Sequence, residues 1–225
     1  GKPIDALFGL KSDGFFSVAD IEAMANKAPG APVLQSFGAV KAGSIKYVDV
    51  NNDGVVDNND QVYLGRGGNA GSPLTLGLNV TAKWNNFSLF VLANRTSGSY
   101  GFKKNSYYWA SGINAKYSAA MRGRWTEATA ETATYPSLST GNNGDNNFRN
   151  SDFWLYKNDR INLARIQLSY DIPKTVLART FISNLGFYVN GSDLLTISKE
   201  KQHLETNFGA APQMRYYSLG LTAAF

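Results

Sequence analysis

The residues best placed to do chemistry lie in one segment, DVNNDGVVDNND at residues 49–60. Counting Asp49 as position 1, oxygen-bearing side chains recur at Asn51, Asp53, Asp57 and Asp60, which are positions 3, 5, 9 and 12. Gly54 falls at position 6, and Val55 offers a main-chain carbonyl at position 7. Oxygen ligands on alternate residues can wrap a hard cation such as Ca²⁺, and the glycine permits the sharp bend this requires. Two features weaken the match. Position 12 is aspartate rather than the longer, bidentate glutamate, and the flanks IKYV and QVYLG read as strands instead of amphipathic helices. The same residues suit a metal-free turn in which Asx side chains bond their own backbone. At this level both readings stand: a calcium loop of the weak extracellular class, with a Kd on the order of 10⁻⁴ to 10⁻³ M, or a turn without metal.

Other chemistry is sparse. Cysteine is absent, which removes disulfides, thiolate metal sites and cysteine nucleophiles. The single histidine, His203, sits in a polar stretch and reads as a surface residue. Carboxylates such as Asp145 and Asp152 have no nucleophile or base to work with, so the chain is not expected to be an enzyme. In SYYWASG, Tyr107, Tyr108 and Trp109 stand together in a long connection, where such rings either stack on a sugar or partner protein or pack the loop against its neighbours. GRGGNAGSP, residues 65–73, lacks the spacing of a dinucleotide or phosphate loop and reads as a connector.

The elements that must position these residues are strands. Residues 74–84, LTLGLNVTAKW, place Leu74, Leu76, Leu78, Val80, Ala82 and Trp84 on one face, and Thr75, Gly77, Asn79, Thr81 and Lys83 on the other. Asn85 and Asn86 make a two-residue turn, after which Phe87, Leu89, Val91 and Ala93 continue in phase. Ala164, Ile166, Leu168 and Tyr170 alternate likewise, as do Leu185, Phe187 and Val189. The chain ends with Tyr217, Leu219, Leu221, Ala223 and Phe225 on one face. Runs of about 9 to 11 residues suit a tilted strand crossing a bilayer. The connections alternate short and long, as they do between the two sides of an outer-membrane barrel. No run of about 18 apolar residues forms a membrane helix. The net charge of +5 is carried by 22 scattered basic residues with no run or stripe, which argues against nucleic acid as a partner.

These motifs carry a resemblance. FGLKSDGFFS, then AGSIKYVDVNNDGVVDNNDQVYLG, then SDFWLYKNDRINLARIQLSYDIP and FYVNGSDLLTISK resemble, in order, the carboxy-terminal part of SusC/RagA-type TonB-dependent transporters. The terminal alternation of Tyr217, Leu219, Leu221, Ala223 and Phe225 looks like the strand signal read by the barrel-assembly machinery. The resemblance implies an all-β fold: the last five or six antiparallel strands of a 22-strand transmembrane barrel with long extracellular loops. Residues 1–73 would be an extracellular loop region holding the acidic loop, and residues 74–225 barrel strands and loops. It further implies a share in an outer-membrane importer of glycans, oligosaccharides or oligopeptides. The partners implied are the rest of the barrel and its plug, a SusD-like surface lipoprotein, the TonB complex through a segment outside these residues, and outer-membrane lipid. The alternative is a secreted soluble β module with a dockerin-like calcium loop that binds carbohydrate or protein. Modules of that type carry two such loops, and this chain has one.

Overall fold

The alternation at residues 74–84 becomes strand β1 (Leu74–Trp84), which turns at Asn85 and Asn86 into β2 (Phe87–Ser97). The fold comes from a computed structural model that describes residues 1–68, 71–110, 116–139, 145–208 and 210–225. Asn85 holds φ at 50°, a left-handed conformation that asparagine tolerates better than most side chains, so two residues close the hairpin with Trp84 opposite Phe87. Strands β3 (Arg160–Asp171), β4 (Asn184–Ile197) and β5 (Tyr216–Ala224) complete one antiparallel sheet of order β5-β4-β3-β2-β1. Its strands are 9 to 14 residues long, well above the usual five or six.

Three strands run further than the alternation indicates. β2 continues to Ser97, β3 begins at Arg160, and β4 reaches Ile197. β3 also carries an irregularity: the register breaks between Leu163 and Arg165 against both neighbours and leaves Ala164 without a partner. Across the break the phase of the alternation shifts. Leu163, not Ala164, therefore lies opposite Ala93 and Leu195, and the expected place of Ala164 on the apolar row is corrected. Where β2 leaves the sheet and β3 returns, a neck closes. The Asn158 amide donates to the Ser99 carbonyl at 2.9 Å, the Gly98 amide donates to Asp159 Oδ1 at 2.9 Å, and Lys157 Nζ lies 2.8 Å from Asp159 Oδ2.

The chain divides into two compact units, each made of two segments: Gly1–Ala70 with Tyr100–Tyr156, and Gly71–Ser99 with Lys157–Phe225. The sheet belongs to the second. The sequence-level division at residue 73 does not anticipate that residues 100–156 fold with residues 1–70. Physically they must, because Met121, Tyr135 and Trp154 share one core with Leu10, Phe37, Ile45, Tyr47 and Val56.

In this first unit the secondary structure is short. Ala6–Gly9 pairs with Val62–Arg66, Ser12–Phe15 with Ile45–Tyr47, and Leu34–Gln35 with Val55–Val56 in parallel. Helix Val18–Ala25 starts at a capping box in which Ser17 and Asp20 each accept the other's backbone amide. Side-chain amides replace missing strand neighbours around Ile45. The Ile45 amide donates to Asn147 Oδ1 at 2.8 Å, and Asn146 Nδ2 and Gln35 Nε2 both donate to the Ile45 carbonyl. Gln35 Oε1 also accepts from the Tyr47 amide at 2.8 Å, so side chains engage the Ile45 amide and carbonyl and the Tyr47 amide.

Candidate functional site

In an antiparallel sheet, residues opposite one another point to the same side, so the register maps each face directly. One row across all five strands is Trp84, Phe87, Tyr170, Phe187 and Leu221. The next two are Ala82, Leu89, Leu168, Val189 and Leu219, and then Val80, Val91, Ile166, Gly191 and Tyr217. Leu78, Ala93, Leu163 and Leu195 follow beyond them. Among its paired residues this face carries one charge, Arg95, which lies opposite Leu76 and Ile161 towards the long-loop end. Large side chains on it face outward: Leu78 is 59% exposed, Val189 52% and Leu219 81%. A water-soluble protein would cover so wide an apolar surface.

The opposite face is polar and hydrogen-bonded. Arg165 Nε donates to Asn190 Oδ1 at 2.8 Å, and its Nη2 donates to Gln167 Oε1 at 2.8 Å. Gln167 Nε2 donates to Ser169 Oγ, and Asn190 Nδ2 to Ser218 Oγ, so the network spans β3, β4 and β5. Along β2 this face also holds Phe90 and Leu92, opposite Thr81 and Asn79, an apolar strip that the alternation does not announce.

Aromatic rings gather at the short-turn end. Trp84 and Phe87 stack at 6.5 Å, Phe87 meets Tyr170 at 4.7 Å, and Phe181 stacks on Phe225 at 5.7 Å. Sequence reasoning finds Trp84 and Phe87 beside their turn and puts Tyr170 and Phe187 on the alternating faces of β3 and β4, and the register adds that all four share one row. Only Phe181 is passed over. The five terminal residues read as an assembly signal stay together: Tyr217, Leu219, Leu221 and Ala223 alternate along β5, and Phe225 follows it.

In the other unit, the acidic loop is knitted by its own side chains. Asp49 accepts from the amides of Asp53 and Gly54, Asn51 Oδ1 accepts from the Asp53 amide, and Asp53 Oδ1 accepts from the Val55 amide. Asp60 is fully buried and accepts from the amides of Val50, Asn51 and Asp57. Burial pushes the Asp60 carboxyl up, but those three amides and a hydrogen bond with the Asp49 side chain outweigh it and hold the group below the ordinary carboxylate value. Asp57 behaves differently: its Oδ1 accepts from the Asn59 amide and caps the 3-10 turn Asn58–Asp60. The loop thus brings Asp49, Asn51, Asp53 and Asp60 together and turns Asp57 to a capping role. Among the described residues no group of three or more His, Asp or Glu is gathered closely enough to hold a metal as it stands. The donor set is nonetheless all oxygen, the kind a hard cation takes.

Tyr107 and Tyr108 meet edge to face at 5.0 Å, while Tyr108 and Trp109 pack on the core of their unit, Trp109 against Phe148 and Trp154. Asp152 is a structural acceptor for the amide and hydroxyl of Ser12, and the side chain of Asp145 lies outside the described residues. His203 lies in helix Lys201–Thr206.

No protein-family model matches the chain. It is similar to TonB-dependent receptor P26 of Formosa agariphila, 24% identical over 81% of this chain and 20% of that protein. It is also similar to TonB-dependent receptor P3 of the same organism, 20% identical over 100% of this chain and 22% of that one. The chain therefore spans about a fifth of the length of the curated relatives it matches. Among solved structures, the RagAB peptide importer in its open-open state superposes with a TM-score of 0.66 at 17% identity, over 98% of this chain and 22% of that chain. The RagAB peptide transporter gives 0.59 at 16% identity, over 86% and 19%. In sequence and in fold, the chain resembles one stretch of a SusC/RagA-like TonB-dependent transporter.

Proposed function

We propose that this chain forms part of the wall and external loops of a TonB-dependent importer in the outer membrane. The observation that carries the reading is a single layer of five long strands with an uncovered apolar face on one side and a wet hydrogen-bonded network on the other. A lipid-facing surface and a water-filled lumen ask for that division. The chain would contribute the closing strands of a 22-strand barrel. β1 and β5 each have a single strand neighbour among the described residues. In hydrocarbon, an open edge leaves N–H and C=O groups unpaired at several kcal/mol each. The rest of the barrel must therefore close against both edges. Tyr217, Leu219, Leu221, Ala223 and Phe225 would be read by the barrel-assembly machinery.

The work is binding and passage rather than catalysis, which accords with relatives named as receptors and importers. Cargo would be oligosaccharide or oligopeptide, contacted by external loops including Tyr107, Tyr108 and Trp109, beneath a SusD-like lipoprotein lid, with the plug, and the segment that engages the TonB complex, lying outside these residues. In the acidic loop, Asp49, Asn51, Asp53, Asp60, the Val55 carbonyl and Asp57 would hold a Ca²⁺ ion that stiffens the first unit. The secreted module with a dockerin-like loop is not favoured by the relatives. Migration of the purified protein on gels before and after boiling tests the reading. The protein should require detergent, shift on heating, and bring a plug-bearing chain and a lipoprotein with it. A monomer that stays compact in plain buffer would overturn it.

A further inference from the structure

The connection between β3 and β4, residues 172–183, holds an arrangement that the transport reading leaves unused. It is well ordered. The Val176 amide donates to the Pro173 carbonyl at 2.9 Å, both the amide and the hydroxyl of Thr180 donate to the Leu177 carbonyl, and the Ser183 amide donates to the Ala224 carbonyl at 2.7 Å. Leu177 is buried and anchors the short helix Lys174–Leu177. The same connection holds Val176 and Phe181 outward, at 66% and 80% exposure, and stacks Phe181 on Phe225, which is 80% exposed as well. Lys174 and Arg179 are exposed in the same connection, and no acidic residue occurs between Ile172 and Leu185.

Fixed apolar side chains in water are unfavourable in proportion to their exposed area, so an ordered turn that displays three of them implies a cover. The cover must accept rings and an aliphatic chain, must be negatively charged opposite Lys174 and Arg179, and must be continuous with the apolar face, because Phe225 ends the strand that places Tyr217, Leu219 and Leu221 there. The border of a bilayer that contains anionic phospholipid meets all three conditions. We propose that residues 172–183 together with Phe225 form an anionic-phospholipid site on the short-turn side of the membrane. Lys174 and Arg179 take the headgroup phosphate, and Val176, Phe181 and Phe225 enter the adjoining acyl region. The inference rests on the membrane reading above.

The test uses the whole outer-membrane protein that carries this chain, reconstituted in bilayers with two photoactivatable phospholipids, one anionic (phosphatidylglycerol) and one zwitterionic (phosphatidylethanolamine), each reactive near its headgroup. A third probe reacts within the acyl chain. The phosphatidylglycerol probe should label residues 172–183 about tenfold more than the zwitterionic one, and the double change Lys174→Gln, Arg179→Gln should equalise them. Phe181→Ala should lower labelling by both. Gel heat-shift of each variant verifies that it still folds. Should the acyl probe label β1 to β5 while neither headgroup probe marks the turn, the lipid site is refuted and the membrane reading survives. Absence of acyl labelling on the strands would remove both. Cross-linking of the turn to another protein in native membranes would replace lipid with a protein partner and overturn the proposal.

Discussion

Leu78→Arg places a cation where the membrane reading puts hydrocarbon. Leu78 lies six residues from Trp84 along β1. At ~3.3 Å per residue that is ~20 Å of strand, and a tilt of ~40° leaves ~15 Å of depth below the aromatic end. An apolar band of ~25 Å has its middle close to that depth, and there an arginine costs ~2–4 kcal/mol. At 1.4 kcal/mol per decade, the ratio of folded to unfolded protein should fall by about 30- to 700-fold. Asn79→Arg is the control, because its side chain lies opposite Leu92 on the other face and is exposed. Its effect should stay within about 0.5 kcal/mol. Leu74→Arg keeps the lipid face but moves four residues toward the opposite border, where the cost falls to about 0–1 kcal/mol. Urea titration of the full-length protein in lipid vesicles, followed by heat-modifiable migration, reads all three. Equal tolerance at positions 78 and 79 would refute the assignment of faces, and equal damage would mean that β1 is buried on both sides.

Three further outcomes follow. Calcium at about millimolar concentration should slow protease cleavage near Asp57, a chelator should restore it, and Asp60→Asn should abolish the difference; cleavage indifferent to metal in the unaltered protein would retire the ion. Asn147→Ala leaves the Ile45 amide buried without its acceptor and should cost about 1–3 kcal/mol, seen as faster hydrogen exchange throughout the first unit, whereas unchanged exchange at Ile45 would show that another group takes over. The Asp5 carboxyl is held below its ordinary 3.8, first by its hydrogen bond from Arg66, against burial, and then by the Gly68 amide. A lowered folded value makes its stabilisation present above that ordinary value and lost as the pH falls beneath it. The protection of the Gly68 amide relative to its intrinsic exchange rate should therefore fall on acidification, and Asp5→Asn should flatten that profile.

Much of the sheet is legible in the sequence because its two faces differ in polarity. Leu74 to Trp84 shows strict alternation for that reason, and the Asn85-Asn86 turn declares its own geometry. The break at Ala164 is not legible: Leu163, Ala164 and Ile166 are all apolar, so hydropathy cannot say which of them is skipped. The roles of Gln35, Asn146 and Asn147 are hidden for the opposite reason. Amides in a polar tract read as loop, and only the fold shows them pairing with the backbone of Ile45. In the acidic loop the spacing is readable, but Asp57 has two uses for its carboxylate, and the choice of Asn59 as partner is a local backbone matter. Phe181 escapes notice because it lies outside any strand, in a turn whose partner is the far end of the chain.

The neck at Gly98, Ser99, Asn158 and Asp159 bears on how such a protein diversifies. Because the chain departs and re-enters through the same few bonds, β2 and β3 are zipped together whatever is threaded between them. The entropic toll of a longer excursion grows only logarithmically, by ~0.6 kcal/mol for each doubling. Chain can therefore be lengthened, trimmed or exchanged at this junction while the strands keep their order; on the transport reading, natural selection is free to change what is gripped without rebuilding the wall.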